Sequence, residues 1–186
     1  MVHLNQGKWR RLRKIRRRLQ DVRRRELGRI FIRYCFARAL TKRPSGDAKI
    51  ESFLISLAPR LDRRERVLRS LDGVNWQTPK IFDAIKANPG SLGCALSHIN
   101  VLDNAWKSGH PAVAVIEDDV DFYTDGDQIE AYVQEFMSDP GLHVLCLSHV
   151  TPGPTLPISR QLAITTRTRT TAFYIAKRTA FRPLLE

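Results

Sequence analysis

Apolar positions along this chain switch between two periods, and the switches mark out its elements. Residues 49–57 (KIESFLISL) are an apolar run with β-branched members, closed by Ala58-Pro59, and predict a buried strand. Residues 60–71 set Leu61, Val67, Leu68 and Leu71 at helical spacing, with Asp62 as the expected N-cap. Residues 80–84 predict a second, short strand, and Asn88-Pro89-Gly90-Ser91 a turn. A helix over residues 92–108 puts Leu96, Ile99, Leu102 and Trp106 on one side, and Gly109 and Pro111 stop it. Residues 112–116 (AVAVI) are apolar without a break, the pattern of a central parallel strand covered on both faces. A helix is expected over 129–137, a buried strand over 142–147, an irregular loop over 151–157, a strand over 170–176 and a helix from 177. Strands that alternate with helices predict an α/β domain with a mostly parallel sheet flanked by helices.

The first 46 residues follow another pattern. Leu12, Ile15, Leu19 and Val22 recur at spacings of three and four among arginines, one apolar stripe on a basic helix. Residues 27–40 are richer in apolar and aromatic side chains, with Arg29, Arg33 and Arg38 among them and Gly28 as a kink at the junction. Residues 41–46 (TKRPSG) read as a linker. The net charge of +12 belongs to this arm. Residues 1–46 hold 16 Lys or Arg against two acids, a charge of +14, while residues 47–186 hold 15 against 17, a charge of −2. The expected organisation is therefore a basic amphipathic arm and linker (1–46) and a near-neutral domain (47–186). A basic helix with aromatic residues suits an anionic membrane surface, and residues 8–40 are the segment expected to meet one. A solvated tail, an organellar targeting segment and a nucleic-acid contact are the other readings of the same charge, with nucleic acid the least favoured. The apolar runs are too interrupted by arginine for a membrane span or a secretory signal. The three cysteines, Cys35, Cys94 and Cys146, are far apart and encode no disulfide framework, so a reducing, cytoplasmic setting is expected.

Candidate chemistry gathers at strand ends. Glu117, Asp118, Asp119 and Asp121 directly follow the 112–116 strand. In extended backbone Glu117 and Asp119 face one way and Asp118 the other. Two carboxylates on one face suit a hard dication such as Mg²⁺ or Mn²⁺. The segment running to Gly126 is not a calcium loop, because Tyr123 falls on a ligand position. Arg60, Arg63 and Arg64 follow the first strand, where they suit a nucleotide diphosphate or the acids themselves. Gly90 and Gly93 open a helix without matching any phosphate-loop pattern. Cys94 and His98 share a helix face. As a zinc pair they lack partners, and as a nucleophile and base they lack an orienting group, so structural roles are the default.

Taken in order, these segments resemble glycosyltransferase family 25, the lipooligosaccharide and procollagen galactosyltransferases. The resemblance runs through Phe53-Leu-Ile-Ser-Leu57 with Arg60, Arg63 and Arg64, then Phe82-Asp83-Ala84, Gly93-Cys-Ala-Leu-Ser-His98 and Ala114-Val-Ile-Glu-Asp-Asp-Val120. It ends in Thr170-Thr-Ala-Phe-Tyr-Ile-Ala176 with Ala180 and Leu184-Leu185. It implies a GT-A-like (Rossmann-like) fold and transfer of a hexose, typically galactose from UDP-galactose, with inversion. It also implies Mn²⁺ or Mg²⁺ at Glu117, Asp118 and Asp119, and donor contacts from Arg60, Arg63, Arg64, Asp83, Ser97 and His98. Asp119, Asp83 and His98 are the candidate catalytic groups. The expected acceptor is a saccharide, or a lipid-linked saccharide in cell-surface glycan synthesis.

Members of the family usually continue beyond the point that matches Leu185-Glu186, so a truncated relative that binds nucleotide sugar without transferring it is the second expectation. The arm lies outside the family pattern; it fits an enzyme peripheral to the inner face of a membrane, or a polyanion-binding module. Each Lys or Arg near an anionic surface contributes about 1 kcal/mol. The arm is therefore expected to carry the chain onto vesicles containing anionic lipid, with binding that weakens as salt rises. Equal sedimentation with neutral vesicles would show that charge is not the driving force.

Overall fold

A computed structural model describes residues 25, 28–30, 50–150, 153–166 and 168–185. The expected arm and linker lie outside the described residues, except for Arg25 and residues 28–30, which are helical. No helix among the described residues is long and apolar enough to cross a membrane.

The elements follow the hydrophobic pattern closely. Strands β1 (Ile50–Ser56), β2 (Lys80–Asp83) and β3 (Ala112–Glu117) alternate with helices α1 (Leu61–Gly73) and α2 (Gly90–Lys107). Helix α3 (Gly126–Ser138) leads to β4 (Val144–Val150), and β7 (Arg169–Lys177) to helix α4 (Arg178–Leu185). Between β4 and β7, where a loop is expected, Thr155–Pro157 (β5) pairs antiparallel with Ala163–Thr165 (β6) as a small separate ribbon.

The main sheet has the order β2-β1-β3-β7-β4. Strand β1 is parallel to β2 and to β3, whereas β7 is antiparallel to both β3 and β4. The sheet is thus mixed, and the expectation of a mostly parallel one does not hold. The reason lies in the connection. The described residues between β4 and β7 contain the β5–β6 ribbon and no helix. A parallel return needs a crossover to the far end of the sheet, usually a helix. Here the chain re-enters at the end where it left, so β7 must run backwards.

Strand β3 organises the interior. All of Ala112, Val113, Ala114, Val115 and Ile116 are fully buried. Ala112, Ala114 and Ile116 pack with Val67 and Leu71 of α1 and with Ile129, Val133 and Phe136 of α3. Val113 and Val115 pack on the other face with Val101, Leu102 and Ala105 of α2 and with Phe181 of α4. Alternate side chains thus feed two cores, giving a helix–sheet–helix sandwich.

Two helices differ in detail from expectation. Arg60, not Asp62, caps α1: its carbonyl accepts from the Arg64 N–H at 3.1 Å. Asp62 stands in the first turn and pairs with the Arg60 guanidinium at 3.1 Å. The turn that Arg60 N–H makes back to Leu57 O already sets the helical course, leaving no capping position for Asp62. In α2 the buried face is Gly93, Ser97, Val101, Leu102 and Ala105, and Ile99 is 41% exposed. The expected Leu96, Ile99, Leu102 and Trp106 stripe is rotated from the true one. Small residues win that face because the backbone of residues 85–87 comes within touching distance of it. A Cβ on Gly93 would meet Ile85 O at 2.3 Å and Ala87 N at 3.0 Å. Ser97 Oγ locks the same contact, accepting from Ile85 N–H at 2.8 Å and donating to Gly93 O at 2.7 Å.

Gly93→Ala is expected to destabilise the domain by about 1–3 kcal/mol, because backbone must shift to admit the methyl group. Gly73→Ala, where a Cβ meets nothing within 4 Å, is the control and should be neutral or slightly stabilising. Urea unfolding of both variants measures the difference.

Candidate functional site

Parallel strands β1, β2 and β3 end side by side, and open α/β sheets bind ligands outside such carboxyl ends. The register places Ser56 beside Asp83 and Ile55 beside Glu117. Glu117 thus emerges where the dry strand β3 stops, and Asp83 closes the largely exposed edge strand β2. Helix α1 brings its first-turn arginines to the same edge, and α2 brings Cys94 and His98.

The acids divide between two neighbourhoods. Asp118 turns toward α1: Ser56 Oγ donates to its Oδ2 at 2.9 Å, and Arg63 Nη1 lies 3.4 Å from its Oδ1. Ser56 itself is 1% exposed, so this carboxylate is tied to a buried hydroxyl. Asp83 takes a charge-assisted bond from Arg64 Nη2 at 2.9 Å. Arg64 Nε is buried and has no hydrogen-bond partner among the described residues. Arg60 spends its guanidinium on Asp62, which raises the arginine's pKa and lowers the carboxyl's through their mutual hydrogen bond. Both groups are open to solvent, so the pair adds little to stability.

Glu117 turns toward α2. Its Oε1 lies 3.4 Å from His98 Nε2. The other imidazole nitrogen, Nδ1, is 3.1 Å from Tyr174 Oη, and the two rings stack with centroids 5.7 Å apart. Tyr174 comes from the antiparallel strand β7, opposite Val115. Burial, and next the Glu117 carboxylate, push its phenol well above the ordinary value, so it stays protonated. Cys94, one turn before His98, is held as a thiol by partial burial and by the charges of Glu117 and Asp119. Glu117 and Asp119 thus act on the same thiol, while Asp118 faces the arginines. Asp119 is exposed.

The structure therefore gathers Arg63, Arg64, Asp83, Glu117, Asp118 and His98 at one edge. Ser97 is set apart, because it is fully buried with its hydroxyl committed to Ile85 and Gly93. It seats the 85–87 segment on α2. Sequence reasoning missed three partners: Glu117 for the Cys94–His98 pair, Tyr174 for His98, and Ser56 for Asp118. The four-residue spacing of Cys94 and His98 was a signal for the first. Tyr174 carries none, because its place depends on β7 lying next to β3. A cleft of about 670 Å³ also lies along β4, lined by Phe136, Leu142, Leu145, Ile158 and Leu162. It is mostly apolar and holds none of the strand-end groups, so the chemistry is assigned to the strand ends.

This geometry defines an α/β domain with an arginine–carboxylate edge at its strand ends. No family model matches the chain. Two curated relatives do: the probable inactive glycosyltransferase 25 family member 3 of Bos taurus, 32% identical over 112 residues, and the inactive glycosyltransferase 25 family member 3 of Homo sapiens, 32% identical over 113. Each match covers 44% of this chain and 18% of the relative, so the chain spans less than a fifth of those proteins' length.

Ser56→Ala is expected to cost about 1–3 kcal/mol, since it strips a largely buried carboxylate of its hydroxyl donor. Ser56→Ala in an Asp118→Asn background should cost less. A double-mutant cycle by urea unfolding measures the coupling, and additive losses would show that the bond contributes nothing.

Proposed function

We propose that this chain is a nucleotide-sugar domain of the glycosyltransferase 25 type, GT-A-like in fold, which transfers a hexose from a UDP-sugar to a saccharide acceptor. The likeness to the two family 25 relatives carries the reading, and the strand-end cluster supplies its chemistry. Arg63 and Arg64 stand at the first turn of α1, where guanidinium groups suit a diphosphate. They are at present paired with Asp118 and Asp83, so donor binding exchanges one anionic partner for another. Arg60 is a further candidate once it leaves Asp62.

Glu117 and Asp119 would supply the oxygen donors that suit Mn²⁺ or Mg²⁺. Asp118 joins them only by leaving Ser56. A bound dication would hold the donor diphosphate and stabilise the departing UDP. Asp83, 69% exposed at the edge of the cluster, is accessible to an acceptor hydroxyl as general base. His98 orients Glu117, and Ser97 acts indirectly through the 85–87 segment. Galactose is the sugar suggested by the family resemblance. A lipid-linked acceptor, with residues 8–40 on an anionic membrane surface, accounts for the basic arm.

A second reading is a relative that binds the donor without transferring it. It is favoured by the word inactive in the names of both relatives. One experiment separates the two. The full chain is heated with a panel of UDP-sugars, with and without Mn²⁺, and UDP release is then followed with saccharide acceptors. A ligand at about 100 times its dissociation constant stabilises by roughly 2.7 kcal/mol. A metal-dependent shift with one UDP-sugar, lost in Asp119→Ala, is expected. UDP release would establish transfer, and a shift without release would establish the binder. The absence of any shift in the folded chain would overturn both.

A further inference from the structure

We propose that Cys94, His98 and Glu117 form a binding site for a transition-metal dication, with Zn²⁺ the ion their donors suit best. One atom from each side chain, a sulfur, an imidazole nitrogen and a carboxylate oxygen, lies within 4.8 Å of the other two. Tetrahedral zinc, with bonds of about 2.0–2.3 Å, needs ligand atoms roughly 3.3–3.8 Å apart. Rotations about the side-chain bonds would close the difference.

The support comes from rigid elements. Cys94 and His98 stand four residues apart on α2 and share a face. Glu117 ends β3, whose backbone is fixed between β1 and β7. Zinc-binding imidazoles are commonly oriented through their second nitrogen, and here Nδ1 of His98 meets the Tyr174 hydroxyl at 3.1 Å. That contact leaves Nε2, the atom facing Glu117, for the ion. With Nε2 bound, Nδ1 carries the ring proton and donates to Tyr174 Oη. Cys94 is exposed and His98 and Glu117 partly so, which gives the ion a path in and leaves a fourth position to solvent.

The donor chemistry sets this site apart from the oxygen-only site proposed above. Thiolate and imidazole select Zn²⁺ over Mg²⁺ and Mn²⁺. The free cysteine carries a thiol proton, and zinc binds the thiolate. An entering dication displaces that proton and offsets the crowded negative charge. One proton leaves for each ion bound, and α2 becomes cross-linked to the end of β3. Because Glu117 serves either ion, zinc would compete with manganese for it.

The test uses the metal alone and so does not depend on nucleotide-sugar binding. Cobalt(II) added to the full chain is expected to give a thiolate-to-cobalt charge-transfer band and the intense visible bands of a tetrahedral ion. Zn²⁺ should abolish both, and excess Mg²⁺ should not. The charge-transfer band should vanish in Cys94→Ser, whose exposed position leaves folding intact by circular dichroism. It should persist in Cys35→Ser and in Cys146→Ala. His98→Asn and Glu117→Gln should each weaken zinc binding. Tyr174→Phe should do so about tenfold, as loss of an orienting partner does. No band from folded wild-type chain, or an undiminished band in Cys94→Ser, would overturn the proposal.

Discussion

The burial of β3 on both faces is the constraint on which the rest depends. A strand whose side chains all face core has no place for charge until it ends. At Glu117 it ends, and three successive carboxylates appear at once. Glu117 and Asp118, both partly buried, need compensation, because adjacent acids repel and these two lose solvent near the core. The neighbouring elements supply it: Ser56 from β1, Arg63 from α1 and His98 from α2. The edge of the sheet becomes polar and ordered because its centre is dry.

Much of this was legible in the chain. The unbroken apolar run of residues 112–116 marked the central strand, since two-sided burial removes the usual alternation. The acids after it, and the arginines after β1, marked the edge where charged groups gather, since both follow from strand ends in an α/β order. The interruption of that order was not legible. Whether a strand returns parallel or antiparallel depends on the path of its connection, and residues 151–157 read only as an irregular loop. Tyr174 was lost with it, because a strand's neighbours cannot be read from its own residues. The buried face of α2 misled for another reason. Hydrophobicity points to Leu96 and Ile99, but the helix packs through Gly93 and Ser97, where closeness of backbone outweighs apolar area.

The ion pairs at the site are better understood as placement than as stabilisation. Arg63 and Arg64 are 39% and 19% exposed, and their carboxylate partners differ widely in burial. Pairs in contact with solvent contribute little to folding. Their effect is to hold two guanidinium groups over one edge of the sheet.

Strand β7 is the last strand in sequence, yet it sits between β3 and β4. On a ribosome the three parallel strands and their helices emerge first and can assemble. Strand β4 follows but has no place to pair until β7 arrives, because β7 separates it from β3. The apolar face of α3 likewise waits for Phe173 and Ile175 to complete its core. Completion of the sheet is therefore an insertion between two existing pieces, and until then the facing edges of β3 and β4 are both unpaired. Such edges are where nascent chains join wrongly. The same strand that brings Tyr174 to His98 closes the gap in the sheet and covers both inner edges.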